Sequence, residues 1–333
     1  MSTDLLSDTA DQIFGGWTEH TDPWAVAEDA GLTRIGISEE AGGSGGDLAQ
    51  AAEVLRWSGF HAVSAPITET LWLAGPLLAA ARLPIPEGPL TAAWADAGHV
   101  RLVADSDGSW SLDGAFTRVP WARDAVRIVL VVGDRLCSIS PDSCEITAGA
   151  DLAGDPRDTV HCNRMRIDAD DVVELPVQPD MQMRAALART VQMTGAAQRA
   201  VDLSVRYAGE RVQFGRKLSA FQAVQQYLAT MAEEAAVAEL ASISAVRAYE
   251  RDAEAGPAVA AARINAVRAA TVIADLAHQV HGAIGTTDEH PLHRATLRLW
   301  AWSAEYGNAD LWARRLGDRA GSVSDPWEFL TSF

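Results

Sequence analysis

The sequence predicts a mainly α-helical α+β protein in three parts: an N-terminal helical domain over residues 1–85, a small β-domain over 86–177 and a C-terminal four-helix bundle over 178–333. Three observations carry this. In the last part apolar residues recur at three- and four-residue spacing, through Leu187, Val191, Thr194, Val201, Val205 and Ala208, and again through Phe221, Val224, Leu228, Met231, Ala235 and Ala238. That is the period of a helix with one buried face. The middle part turns to short β-like runs separated by turn dipeptides, and the first part breaks into short apolar stretches punctuated by Pro23, Gly31 and the Gly42 to Gly46 run.

Element by element, helices are expected over Trp24–Ala30, Leu48–Trp57 and Thr70–Ala81. The Gly-rich loop between the first two lacks the strand and Gly-Lys-Ser/Thr context of a phosphate loop, so it reads as a tight turn. Strands are expected over Val100–Ala104, Trp110–Leu112, Ile128–Val132, Leu136–Ile139, Val160–Cys162 and Met165–Ile167, with Asp107-Gly108 and Gly133-Asp134 as hairpin signals. The long helices follow, the third built on Val259, Ala266, Ala270, Ile273, Ala277 and Val280 after a break at Gly256-Pro257. Their many alanines allow close helix approach, and helices of about 25 to 35 residues would span roughly 40 to 50 Å, enough to pack against a second subunit.

Composition narrows the function. A formal net charge of −18 over 333 residues argues against nucleic acid and acidic membranes as partners. No apolar run approaches the roughly 18 residues of a membrane span, and the N-terminus is polar rather than a secretory leader. Cys137, Cys144 and Cys162 are odd in number and lack metal-ligand spacing, so the expectation is a reduced cytoplasmic protein with structural thiols and no metal.

The chemistry centres on Arg206 to Gln222. This stretch reads as the end of one helix, a turn carrying Arg211, Arg216 and Lys217, and the start of another, with the two helices meeting at Phe214-Gly215 and Ser219 capping the second. Cations gathered at a helix N-terminus suit a diphosphate, and they equally suit a capped hairpin with solvated charges.

The R-x-x-F-G then F-Q pattern of Arg211, Phe214, Gly215, Phe221 and Gln222 resembles the C-terminal domain of acyl-CoA dehydrogenases. Gln279 to Gly285 followed by Glu289 to Arg294 resembles that family's Q-x-x-G-G-x-G and E-x-P segment, and Gly36 to Gly46 its P-E-E-x-G-G-x-G loop. Gly108 to Gly114 resembles its G-x-W-x-L-x-G strand pair. The resemblance implies an oxidoreductase that introduces an α,β double bond into an acyl-CoA thioester, with FAD as cofactor and an electron-transfer acceptor. It also assigns Arg211, Phe214, Gln222, Gln279 and Gly282 to the diphosphate and adenine half of an FAD held mainly by another subunit.

Two departures from the family follow. Where flavin-holding members carry T-E-P-x-x-G-S-D, this chain has Ala92 to Gly98, and Val119 to Ala125 replaces a tryptophan, threonine and asparagine motif. Of the family's two positions for the glutamate base, one falls on Ala185-Ala186, ahead of the G-x-x-Q-R-A match at Gly195 to Ala200. The other falls on Tyr306, with Glu305 one residue early. On a helix that offset turns a side chain about 100° away. Glu305 is then either a base reached by a one-residue gap or a solvated helix-end charge, and His281 and Glu289 are the other polar candidates. No catalytic residue is assigned. The pattern looks like one subunit of the heteromeric α2β2 actinobacterial type, which acts on CoA thioesters of sterol side chains or other bulky acids. The alternatives are a self-sufficient homo-oligomer using Glu305 and a scaffolding homologue without FAD.

Overall fold

The computed structural model describes residues 3–16, 24–95, 100–175, 179–251 and 255–332. Backbone proximity gathers the chain into two compact units, one chiefly of residues 16–51 and 64–184, the other of 4–15, 52–63 and 185–333. Residues 1–85 thus contribute to both.

Among the described residues four α-helices precede the strands: α1 (Thr3–Gly15), α2 (Trp24–Asp29), α3 (Leu48–Phe60) and α4 (Gly75–Ala80). Helix α1 escapes the apolar-run reading because its buried stripe is only Leu6, Ala10 and Phe14 among exposed acids. The helix expected over Thr70–Ala81 is two pieces, a π-helical turn over Glu69–Ala74 and then α4. Pro76 has no N–H and its ring crowds the carbonyl one turn back, so the helix widens there and Gly75 N–H reaches Thr70 O. The Gly-rich loop is a tight turn, closed by a bridge between Ile37 and Gly45. A Cβ at Gly43 would come within 2.2 Å of Ile37 O, so only glycine allows this closure.

Eight strands follow among the described residues: β1 (Leu90–Ala95), β2 (Val100–Ala104), β3 (Trp110–Pro120), β4 (Arg127–Val132), β5 (Arg135–Ile139), β6 (Glu145–Thr147), β7 (Arg157–Ile167) and β8 (Val172–Glu174). They form two four-stranded sheets, ordered β1-β4-β5-β8 and β2-β3-β7-β6, in which only β1 and β4 pair in parallel. Leu112, Phe116, Ile128, Leu130, Cys137 and Val160 belong to one core drawn from both sheets. The two short strands expected over 160–167 are one continuous strand. The polar residues Asn163 and Arg164 sit at an irregularity where Arg164, at φ 49°, turns its N–H to the Asp113 carboxylate. Both hairpin signals are realised, with Gly108 at φ 89° and Gly133 at φ 60°.

In the second unit α5 (Met181–Glu210) crosses α3. Gly195 lies against the Arg56 carbonyl and Gly59 against the Gln192 carbonyl, where added Cβ atoms would stand 1.9 and 2.0 Å away. Two glycines therefore let the helix backbones touch. Beyond two further short strands come α6 (Gln222–Arg251) and α7 (Gly256–His281), then α8 (Leu292–Ala304), α9 (Ala309–Gly321) and α10 (Pro326–Thr331). Helix α7 packs against α6, α8 and α9 through an alanine-rich face that includes Ala262, Ala266, Ala270, Ile273 and Ala277. Small side chains on this face let three neighbours approach one helix. Among the described residues no helix is long and apolar enough to cross a membrane.

The crossing of α3 and α5 is testable. Gly195→Ala must push the two backbones apart, with an overpacking cost of about 1–3 kcal/mol or more. The melting temperature of Gly195→Ala should fall by several degrees. Gly209→Ala, at a helical glycine with open space around it, should melt no lower than the parent.

Candidate functional site

The stretch between α5 and α6 differs from the expectation of two helices meeting at Phe214-Gly215. Helix α5 stops at Glu210, and β9 (Val212–Gln213) pairs antiparallel with β10 (Arg216–Lys217) across a two-residue turn. Phe214 and Gly215 both have positive φ, 51° and 78°, the signature of a type I′ hairpin, which no helix can contain. Leu218 N–H closes the hairpin on Arg211 O at 2.9 Å. Ser219 does not cap α6. It lies in a short 3₁₀ turn, where its carbonyl accepts from Gln225 Nε2 at 2.9 Å.

The hairpin holds its side chains outward. Arg211, Arg216 and Lys217 are exposed, and Phe214 is 91% exposed. The Arg216 guanidinium lies 4.0 Å from the centre of the Phe221 ring, and Phe214 meets the same ring edge-on. Among the described residues Arg211 and Lys217 carry no ion pair. Gln222, at the start of α6, is exposed beside them.

The Gln279 to Gly282 segment ends α7. Gln279 is exposed, and Gly282 caps the helix at φ 63° and ψ −146°, a conformation essentially confined to glycine. His281 is buried, with Nδ1 2.8 Å from the Ala277 carbonyl, and burial lowers its pKa. Its ring stacks on Tyr207 at 4.6 Å and lies 4.6 Å from His290. Tyr207 stands one turn before the hairpin, and its carbonyl receives Arg211 N–H at 2.9 Å. This stack brings the two sequence motifs side by side. His281 is thereby engaged in structure, while Glu289 is exposed.

At the end of α8 the structure overturns the picture of Glu305 as a solvated charge. Its side chain is 6% exposed, and Oε2 accepts from Arg189 Nε at 2.8 Å. Arg189 Nη1 donates to Gln192 Oε1 at 2.5 Å, and Gln192 Nε2 donates to Ser58 Oγ at 3.0 Å. Arg263, wholly buried, donates to the carbonyls of Trp302 and Glu305 at 2.5 and 2.6 Å. Burial pulls the Arg263 guanidinium down to about 10, partly offset by Glu305, so it stays cationic at neutral pH. Tyr306 follows at φ 54°, half-buried, and its carbonyl accepts from Trp312 Nε1 at 3.1 Å.

In the first unit, Ala92 and Ala93 are buried in β1, and Trp94 and Ala95 are half-buried at its end; residues 96–98 lie outside the described residues. The Thr91 hydroxyl donates to Pro120 O at 2.5 Å. Arg123 is bound to the buried Asp158, with Nε 3.0 Å from its carboxylate. The polar groups here are spent on one another.

Residues 181–319 match the acyl-CoA dehydrogenase C-terminal domain. Over most of its length the chain is 30% identical to the acyl-CoA dehydrogenase IpdE2 of Mycobacterium tuberculosis, covering 80% of this chain and 76% of the relative. The chain belongs to the acyl-CoA dehydrogenase family. IpdE2 of Mycolicibacterium smegmatis is 28% identical over 80% of this chain and 77% of its own. The fold is shared with the ChsE4–ChsE5 complex of M. tuberculosis, at 22% identity and a TM-score of 0.85 over 96% of this chain and 97% of that one. It is shared also with the butyryl-CoA dehydrogenase of Megasphaera elsdenii, at 16% identity and a TM-score of 0.82 over 95% and 97%.

Acyl-CoA dehydrogenases are FAD-dependent oxidoreductases acting on acyl-CoA, so the two halves of that cofactor can be set against the residues present. The hairpin's unpaired Arg211 and Lys217 fit a diphosphate, since charge-assisted donors held clear of carboxylates suit an anion. The β1 and Trp121 to Asp124 region does not match a flavin ring in the same way, because Thr91 and Arg123 are already engaged. Of the family's base positions, Ala185 and Ala186 are buried alanines in α5. Protonating Glu305 would leave the Arg189 guanidinium facing a neutral acid in a buried site. What the sequence missed here is Arg189. Nothing local marks it as the partner of a residue 116 positions away.

Breaking this pair has a measurable effect. Glu305→Gln keeps the shape and removes the charge that Arg189 Nε meets in this buried site. It should reduce unfolding stability by about 3 kcal/mol. Denaturant titration reads this directly, and an unchanged midpoint would mean that the pair adds nothing.

Proposed function

We propose that this chain is one of two unlike subunits of an acyl-CoA dehydrogenase assembled as α2β2, and that it completes an FAD site held mainly by its partner. In this reading the partner supplies the flavin-ring cradle and the glutamate that removes the Cα proton. The observation that carries it is a contrast within one chain: the diphosphate-contacting hairpin is retained and exposed, while Glu305, nearest to a base position, is committed to Arg189. Complexes among proteins of the same fold, ChsE4–ChsE5 and the Tcur3481–Tcur3483 steroid ACAD, support an assembly of unlike chains acting on bulky CoA thioesters such as those of sterol side chains. The polar, strongly acidic composition supports a cytoplasmic setting.

FAD, when bound, accepts the hydride that leaves the substrate Cβ. This chain's part is to bind and orient. Arg211 neutralises a phosphate through charge-assisted hydrogen bonds, Phe214 and Gln222 contact the same half of the dinucleotide, and Gln279 with the backbone at Gly282 offers a second edge for the adenine half. A separate electron-transfer acceptor reoxidises the complex.

Three measurements test the division of labour. Purified alone, the chain should carry little flavin, and with its partner it should give a yellow complex; a stoichiometric flavin spectrum from the single chain would sink the heteromer. Within the complex Arg211→Ala should weaken FAD retention by about 1.5 to 3 kcal/mol, read as flavin lost on dilution. Glu305→Gln, compared per bound flavin, should bleach anaerobically with acyl-CoA within a few fold of the parent. A slowing of about 100-fold or more would make Glu305 the base.

A further inference from the structure

We infer that Tyr207, His281 and His290 are positioning residues, whose stacked rings hold the hairpin and the Gln279–Gly282 turn together and let them part on protonation. These two segments are the ones assigned to FAD in the reading above, on which the consequence for the cofactor rests. The rings form one block: His281 lies nearly parallel to Tyr207, at 4.6 Å and 23°, and His290 stands 4.6 Å from His281 and edge-on to Tyr207 at 6.1 Å. Each ring comes from a different place in the chain, one from α5, one from the end of α7 and one from the turn before α8. Tyr207 is tied to the hairpin, because its carbonyl receives Arg211 N–H. Gly282 follows His281 directly, and the turn packs back against it. A Cβ on Gly285 would stand 2.9 Å from His281 Cβ and 3.3 Å from His278 Nδ1. Moving the His281 ring therefore moves both segments.

Hydrogen bonding fixes where the protons are. The Ala277 carbonyl can only accept, so His281 carries its proton on Nδ1, and its Nε2 is a buried lone pair with no hydrogen-bond partner among the described residues. Leu292 N–H donates to His290 Nδ1 at 3.2 Å, which leaves that ring's proton on Nε2. A second proton on either ring sets a charge against a stack in which His281 is 4% exposed. The charges acting on the two rings are cationic: Arg199 from α5 and His293 from α8 act on His290, and His290 and His278 act on His281. The carboxylates stand further out, with Asp275 acting on His278 and Asp288 3.8 Å from His293. The Ala277 and Leu203 carbonyls and the face of Tyr207 favour a cation on His281. Burial outweighs them, and both rings have lowered pKa values. Because the folded values lie below the unfolded one, the stack's contribution is complete above about pH 6.5 and is lost as pH falls through the folded values. Two charged imidazoles at this spacing also repel, so the second proton is the harder to add until the stack opens.

The test is hydrogen exchange on the purified full chain from about pH 7.5 to 5.5, corrected for the intrinsic pH dependence of exchange, a window that brackets the unfolded histidine value. Protection of residues 212–218 and of residues 279–287 should fall together with acid, by up to about tenfold per pH unit for each proton taken up, while the middle of α7 keeps its protection. His281→Phe keeps a ring on Tyr207 that cannot titrate, so both segments should stay protected across the same range. Tyr207→Ala should leave residues 279–287 sensitive to acid and make residues 212–218 indifferent to it. Should His281→Phe fail to fold by circular dichroism, His290→Phe takes its place and should weaken the acid response. Protection in the parent that ignores pH, an acid response in the phenylalanine substitution equal to the parent's, or a hairpin that still opens with the turn in Tyr207→Ala would each overturn the inference. In the flavin-loaded complex the same acid step should release FAD. If the segments part and the flavin stays, the clamp stands and the assignment of these segments to FAD falls instead.

Discussion

Two guanidinium groups, Arg189 and Arg263, lie out of water around the end of α8, and their need for acceptors shapes that end. Each buried cation needs acceptors or the fold would lose several kcal/mol. Glu305 meets Arg189, and Arg263 donates to carbonyls at the C-terminus of α8, where the helix dipole is negative. The turn is fixed as a result: Tyr306 and Gly307 take positive φ, and Asn308 caps α9 through Leu311 N–H. A carboxylate serving as the counter-ion of a buried network is poorly placed to take a proton from a substrate. Structural and catalytic demands on this side chain would compete.

The charge of the chain is unevenly distributed along it. The acidic excess falls almost entirely in the first 177 residues, while the arginines of the bundle nearly balance its acids. Anionic ligands therefore meet a repulsive first half and a nearly neutral second half with local cationic points. The hairpin is one of these, and its tie to the Gln279–Gly282 segment through Tyr207 and His281 brings two motifs distant in sequence together.

Much of the fold was legible because it is written in local periodicity. The long helices, the hairpins at Gly108 and Gly133 and most strands follow from spacing and turn chemistry alone. What escaped has non-local or competing causes. Pro76 turns a predicted helix into a π-turn because a missing donor outweighs the apolar pattern. Phe214 takes a left-handed conformation that its side chain disfavours, so the helix–helix junction hides a hairpin. In the candidate site, the motif residues were readable by resemblance, but the fate of Glu305 depended on Arg189, 116 positions away, and on Gln192, which the crossing of α3 and α5 sets against Ser58. Gly59 and Gly195, which permit that crossing, look in sequence like ordinary helix-weakening glycines.

The type I′ hairpin also has a kinetic consequence. Its backbone is already closed by ladder hydrogen bonds, so binding an anion there loses little further chain freedom. Its cations project from a chain of net charge −18, which makes it a local point of attraction for an anion. Such a field acts over a distance on the order of 10 Å at moderate ionic strength, beyond the reach of any contact. An anionic target is turned toward the tip while still diffusing. If the hairpin holds the anion proposed for it, the encounter would be steered by this local field and its rate would fall as salt is added.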